Sequence, residues 1–464
     1  MSNILDTTNA ALARSLRSRH VSMIAIGGII GAGLFVGSST TIATVGPAVV
    51  VSYALAGLMV LLVMRILTEM AMARPGLGSF TELVRAGLGD WAGFVSGWLY
   101  WYFWVIVVPI EAIAGANILK HWLPLETWQI GVVLLALMTG VNLTSTRSYG
   151  EFEFWLSSIK VAGIIAFIAI GGSYAFGLTA PDGATFSNLT AEGGFAPFGI
   201  LAVFAGVTSV IFALTGAEIA TVAAAESNEP AKVIANITSS VALRILLFYV
   251  LSIFLIVSVI SWRQITPGTS PFATALEGMN IPGAATAMNI IVLIAVLSCL
   301  NSGLYVTSRV LFVLASRGDA PQSLVALSWN RVPARGILAG SAFGYLAMAA
   351  AVLSPQGVFS FLVNASGALM LFIYLMLCFA LIKDRNVMAR EGRPLPAIKM
   401  WFHPWSTYAV ILGILAVLAA MALTPDLASQ LYLSLLVTAF VYVCYVLKER
   451  RARQQDKVAD SAAA

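Results

Sequence analysis

The sequence predicts an all-α membrane protein of twelve transmembrane helices, a five-plus-five inverted repeat with two extra C-terminal helices and discontinuous helices one and six. Three observations carry that prediction. The 464-residue chain is 59% hydrophobic and 10% charged, with a mean hydropathy of +0.90, whereas soluble domains carry about 25% charged residues. A helix needs about 20 apolar residues to span a bilayer, and about twelve segments qualify, near 20–45, 48–73, 91–119, 127–146, 153–176, 198–225, 237–261, 286–315, 336–353, 357–382, 405–424 and 429–447. Glycine clusters then interrupt the first and the sixth of these segments.

The first interruption is Gly27-Gly28-Ile29-Ile30-Gly31-Ala32-Gly33-Leu34-Phe35, and the second is Phe212-Ala213-Leu214-Thr215-Gly216-Ala217-Glu218. Each glycine weakens a helix by about 1 kcal/mol relative to alanine, which favours local unwinding. In lipid, unwound backbone persists only where protein or a watery cavity satisfies its N–H and C=O groups. Spans one to five and six to ten have opposite orientations because five is odd, so each half opens with a broken helix. Such pairs mark the central binding site of a secondary transporter. The alternative for each cluster is close helix packing through small residues.

Positive charge falls on one side. Arg14, Arg17 and Arg19 precede the first span, Arg74 and Arg85 follow the second, and Arg147, Lys232, Arg317, Arg331 and Arg335 follow the fourth, sixth and eighth. Lys383, Arg385, Arg390, Arg393 and Lys399 follow the tenth and Lys448, Arg450, Arg451, Arg453 and Lys457 the last, while the opposite loops hold Lys120 and Arg263. This distribution, rather than a nucleic-acid surface, accounts for the net charge of +5, and it puts both termini in the cytoplasm. The residues before the first span lack a cleavable signal's apolar core and A-x-A end. Cys299, Cys378 and Cys444 lie in apolar segments and imply no disulfide framework.

The expected organisation is a cytoplasmic tail (1–19), a transport core (20–382), a basic loop (383–404), helices eleven and twelve (405–447) and a second cytoplasmic tail (448–464). The stretch from Pro75 to Leu83 suggests a turn and an amphipathic segment along the cytoplasmic surface. Residues 179–197 form a polar external connector. The aromatic run Trp98–Trp104 suits interface anchoring or helix packing better than ligand stacking.

A broken helix offers two complementary ends. Free N–H groups at the start of its second half attract a carboxylate, and free C=O groups at the end of a first half attract an ammonium. Gly31, Ala32 and Gly33 expose amides with little side chain in the way, and Ala213, Leu214 and Thr215 supply carbonyls. A zwitterion matches both. Charges inside the spans default to functional hypotheses, since one at a helix centre costs about 2.5–3.5 kcal/mol. Lys160, about two turns into the fifth span, is a proton carrier or a stand-in for a bridging cation, unless it snorkels to the surface. Glu218 faces the expected cavity, and Glu226 lies nearer the cytoplasmic end. Glu69 suits a local pair with Arg65. Glu111, just beyond Pro109 in the third span, is either a distal anchor for a substrate amine or a fixed structural pair.

These residues bring a family into view. Gly28-Ile29-Ile30-Gly31-Ala32-Gly33-Leu34-Phe35, the Gly78-Ser79-Phe80 turn, Gly97–Trp101, Tyr149–Trp155 and Asn301–Tyr305 resemble bacterial amino-acid permeases of the amino acid–polyamine–organocation (APC) superfamily, over nearly the whole chain. Within its amino acid transporter family, Val108–Ala112 and Gly216–Ser227 look most like the GABA (4-aminobutyrate) permease branch. The resemblance implies the APC fold, alternating access and substrate–proton symport, with H+ as the coupling ion and no cofactor. It implies that Ile29, Gly31, Ala32 and Gly33 cradle the carboxylate, that Phe212 gates the pocket, that Ala213 and Thr215 contact the amine side, and that Lys160 is proton-linked. Ala32 stands where many relatives carry Ser or Gly, which removes a hydroxyl contact.

The resulting expectation is a proton-coupled importer of GABA or a related small zwitterion, in a bacterial inner membrane, working as a monomer. A permease for neutral or aromatic α-amino acids is the nearest alternative, and a membrane amino-acid sensor is an alternative of another class. No His-rich, Ser/His/Asp or metal-ligand constellation supports an enzyme, and His20, His121 and His403 all fall at span edges.

Overall fold

The computed structural model describes residues 30–74, 77, 79–144, 149–216, 218, 245–328 and 332–463. Ile29, Arg147, Ala217, Glu226, Lys232 and the opening of the seventh predicted span lie outside the described residues.

The described chain is helical, without a strand among the described residues. In order it contains α1 (Ser38–Val45), α2 (Val49–Ala73), α3 (Phe80–Leu88), α4 (Asp90–Leu119), α5 (Thr127–Thr144), α6 (Tyr149–Ala175), α7 (Gly199–Leu214), α8 (Ser252–Val259), α9 (Pro271–Gly278), α10 (Ala284–Ser316), α11 (Ala334–Ala351), α12 (Pro355–Arg390), α13 (Trp405–Leu423) and α14 (Pro425–Ala463). Nine helices among the described residues are long and apolar enough to cross a membrane, and Gly199–Leu214 and Leu247–Val259 are shorter apolar helices. The Gly33–Ala73 stretch turns at Gly46, whose φ of 73° favours glycine, before Pro47. Ser270-Pro271 and Ser354-Pro355 open α9 and α12 with a serine cap and a proline in the first turn.

Burial sorts the helices. In its most apolar window α4 is 83% buried and α12 78%, against 22% for α14 and 39% for α13. The outer helices show large apolar side chains such as Leu346, Leu412 and Leu436 to the surroundings. In water such a surface would be an unmet interface; on a multi-span bundle it is the face that lipid covers.

Two clasps close one end of the bundle. Arg85 of α3 bonds Asp319 at 2.5 Å and Asp90 at 2.9 Å, Lys448 of α14 reaches Asp319 at 2.5 Å, and Arg317 pairs with Glu82. Burial raises the Glu82 carboxyl above its ordinary range, with the Arg317 and Arg85 guanidiniums opposing. The α3 segment therefore does not lie free along a surface: Phe80, Glu82, Leu83 and Val84 are buried, and Gly87 abuts Ala380 of α12. In the second clasp Glu69 accepts from Arg385 at 2.6 and 2.9 Å and from the Met400 amide at 2.6 Å. Arg65, the partner expected for Glu69, instead donates to the Lys399 carbonyl and lies over the Trp401 ring. A buried carboxylate needs several donors at once, and a guanidinium fork plus an amide supply three. Helix α12 runs on to Arg390, through the start of the basic stretch, and α14 is helical to Ala463.

Candidate functional site

At the first interruption the backbone bends at Ile30 and Gly31, then runs through a wide turn of helix, Gly33–Gly37, into α1. The first amides of such a segment have no carbonyl one turn back to bond. The Ala32 amide donates to both carboxyl oxygens of Glu111, each at 3.3 Å. Glu111 is 3% exposed and sits on α4, two residues after the internal Pro109. At the second interruption α7 ends at Leu214, Thr215 is extended, and Gly216 takes a φ of 124°. The Thr215 hydroxyl returns to the Ile211 carbonyl at 2.7 Å, and the Gly216 amide donates to Glu218 at 3.1 and 3.2 Å.

The two interruptions touch. A Cβ on Gly33 would lie 2.5 Å from the Ala213 Cα, so only glycine permits this approach. Around the crossing lies a narrow cleft. Gly31, Gly33, Ala213 and Thr215 bring backbone to it, α4 brings Phe103, Trp104, Val107 and Glu111, α7 brings Phe212, and α10 brings Cys299 and Ser302. The Phe103 and Phe212 rings are neighbours, with centroids 6.5 Å apart and planes tilted by 53°.

Lys160 of α6 stands behind this cleft, fully buried rather than snorkelling. Its ammonium donates to Ser298 Oγ at 2.9 Å and to Cys299 Sγ at 3.8 Å, and Cys299 in turn reaches the Ile30 carbonyl at 3.6 Å. The lysine is thus connected through α10 to the bent end of the first segment.

Residues 20–458 match the family described as Amino acid permease. The chain belongs to the amino acid permease family. The permease is therefore a multi-pass membrane protein of a transporter family and not an enzyme. It is 44% identical over 462 residues to the gamma-aminobutyric acid permease of Bacillus subtilis, covering 99% of this chain and 97% of that one. It is 43% identical over 454 residues to a probable GABA permease of Pseudomonas aeruginosa, covering 97% and 95%. An aromatic amino acid transport protein of Corynebacterium glutamicum is 37% identical over 441 residues, covering 94% and 95%.

Within this permease the expected site residues separate by place. Gly31, Gly33, Glu111, Phe212, Ala213 and Thr215 line the cleft. Ala32 contributes its amide to Glu111, Glu218 caps its own interruption, Lys160 lies one layer back, and Ile29 is outside the described residues. Phe103, Trp104, Val107, Cys299 and Ser302 were not singled out from the sequence as cleft residues. Trp104, Val107 and Glu111 stand at i, i+3 and i+7 on one helix face, a spacing that would have found them. The aromatic run divides by the same rule: Trp98 packs on Trp101 and Trp101 on Phe343, while Phe103 and Trp104 turn inward.

Proposed function

We propose that this permease imports GABA or a related small zwitterionic amino acid by proton symport and alternating access. The membrane is a bacterial inner membrane, both termini are cytoplasmic, the two clasps lie on the cytoplasmic side, and one chain suffices. The observation that carries the reading is the meeting of two interrupted helices at a cleft that also holds the acid of α4. A substrate carboxylate fits the amide end at Ala32 and Gly33, where the helix dipole is positive. An α-amino acid carries both charges on one carbon and needs one junction. GABA carries its ammonium several bonds away, and Glu111, an acid of the cleft lining that lies against the Ala32 amide, offers that ammonium a second anchor. The names of the relatives from Bacillus subtilis and Pseudomonas aeruginosa support the same substrate class.

Lys160 is the proton-linked residue in this reading. A lysine in a bundle interior can gain and lose a proton where an exposed one stays charged, and Ser298 and Cys299 connect it to the backbone beside the carboxylate site. The five-plus-five inverted repeat supplies the two states, each half carrying one interrupted helix. One proton moving down 100 mV supplies about 2.3 kcal/mol, enough for roughly fiftyfold accumulation.

A second reading, a permease for aromatic α-amino acids, draws on the aromatic wall of Phe103, Trp104 and Phe212 and on the Corynebacterium relative. One experiment addresses both. Proteoliposomes containing the purified chain are expected to accumulate labelled GABA when a proton gradient is imposed, with unlabelled GABA competing better than phenylalanine. Uptake indifferent to an uncoupler removes the coupling, and stronger competition by phenylalanine moves the substrate to the aromatic class.

A further inference from the structure

The amide end of an interrupted helix is an anion site, and in this permease an acid of the chain itself already sits on it. Both Glu111 oxygens lie 3.3 Å from the Ala32 nitrogen. The carboxyl presses against the glycine before it, since a Cβ on Gly31 would be 3.2 Å from Glu111 Oε1. The group is buried, lines the cleft and comes from a helix 79 residues further along the chain. One donor shared between two acceptors at the long end of the hydrogen-bond range makes a weak bond, suited to exchange.

We propose that Glu111 is an internal stand-in for the substrate carboxylate, holding the Ala32 amide while the cleft is empty and leaving it when a substrate enters. The inference rests on the zwitterion reading and goes beyond it, because Glu111 becomes a competitor as well as an anchor. A simple carboxylate arriving at Ala32 gains that amide but strands a buried acid beside a second one, which is costly. A ligand with an ammonium several bonds from its carboxylate gives the displaced Glu111 a new partner. Selectivity for separated charges then comes from rejecting ligands that cannot resettle Glu111.

The two roles of Glu111 predict opposite signs for two ligands. Isothermal titration of the detergent-solubilised full chain with GABA and with butyrate, at one fixed pH, compares wild type with Glu111→Gln and Glu111→Ala. Butyrate is expected to bind about ten- to a hundredfold more tightly in Glu111→Ala, the factor a hydrogen bond to a charged group is worth. In Glu111→Gln, whose amide oxygen still accepts from Ala32 but carries no charge, it tightens by a smaller factor, while GABA binds more weakly in both. Weaker GABA with unchanged or weaker butyrate leaves Glu111 only an amine anchor and overturns the proposal. Unchanged binding of both ligands makes Glu111 structural and overturns it as well. If Glu111→Ala does not melt cooperatively, the near-isosteric Glu111→Gln decides alone. Should the wild type bind phenylalanine and not GABA, the substrate reading fails separately. Phenylalanine and 3-phenylpropionate then replace GABA and butyrate, and 3-phenylpropionate binding that does not tighten in Glu111→Gln overturns the stand-in.

Discussion

The two interruptions solve one problem in different ways. Each leaves an amide that must find an acceptor inside the bundle, and each finds a glutamate. At the second, Glu218 lies two residues from the Gly216 amide it caps, so the cap travels with the backbone it serves. At the first, Glu111 reaches the Ala32 amide from another helix, so rotation of one side chain exposes the amide without unwinding anything. A local cap fixes a conformation, whereas a remote cap can be traded for a ligand. The difference explains why Glu111 lines the cleft and Glu218 does not.

The largest perturbation strikes the place where the interruptions meet. Gly33→Val puts a branched side chain where a Cβ would already be 2.5 Å from the Ala213 backbone, so the segments must part. Overpacking costs about 1–3 kcal/mol where side chains can give, and backbone cannot. Uptake is expected to fall below detection with a lower melting temperature; near-normal uptake would mean that the crossing is not tight in the working protein. Lys160→Ala comes next. Accumulation is expected to drop from about fiftyfold to about onefold, the ratio a coupled proton supplies at 100 mV, while equilibrium GABA binding changes little. Equal loss of both would make the lysine a structural pin. Glu218→Gln should be mildest, because an amide oxygen still accepts from Gly216. Transport of every substrate is expected to fall by about fivefold, for about 1 kcal/mol of weakened hydrogen bonding. A loss confined to GABA would show that both caps are exchangeable and erase the contrast.

Much of this arrangement can be read from the chain. The glycines at 31, 33 and 216 announce the interruptions because each costs helix stability, and Gly33 serves close packing as well, since it admits the Ala213 backbone. Glu111 and Lys160 stand out because charge is expensive at those depths. What the sequence withholds is which helix face meets which. Nothing in a linear pattern says that Glu69 belongs to Arg385, 316 residues away, when Arg65 stands one turn back. Nor does hydropathy say that Ser298 and Cys299 of α10 meet Lys160 of α6. Pairings of this kind are set by the crossing of whole helices, and close-range rules such as i, i+4 pairing mislead wherever a buried acid needs more donors than one neighbour provides. The expectation that α3 lies free along a surface failed for a related reason: its Glu82 and Arg85 pair with Arg317 and Asp319, just beyond the end of α10, so its polar face needs no water.

The position of Lys160 also bears on how the polypeptide enters the bilayer during synthesis. Ser298, which receives its ammonium, is encoded 138 residues later. At about 5–20 residues per second, that interval lasts roughly 7–28 s. Throughout it the nascent α6 holds a lysine whose partner on α10 does not yet exist, while Glu111, on α4, has already been made. Early translation products ending before α10 should therefore depend on that acid for stable integration.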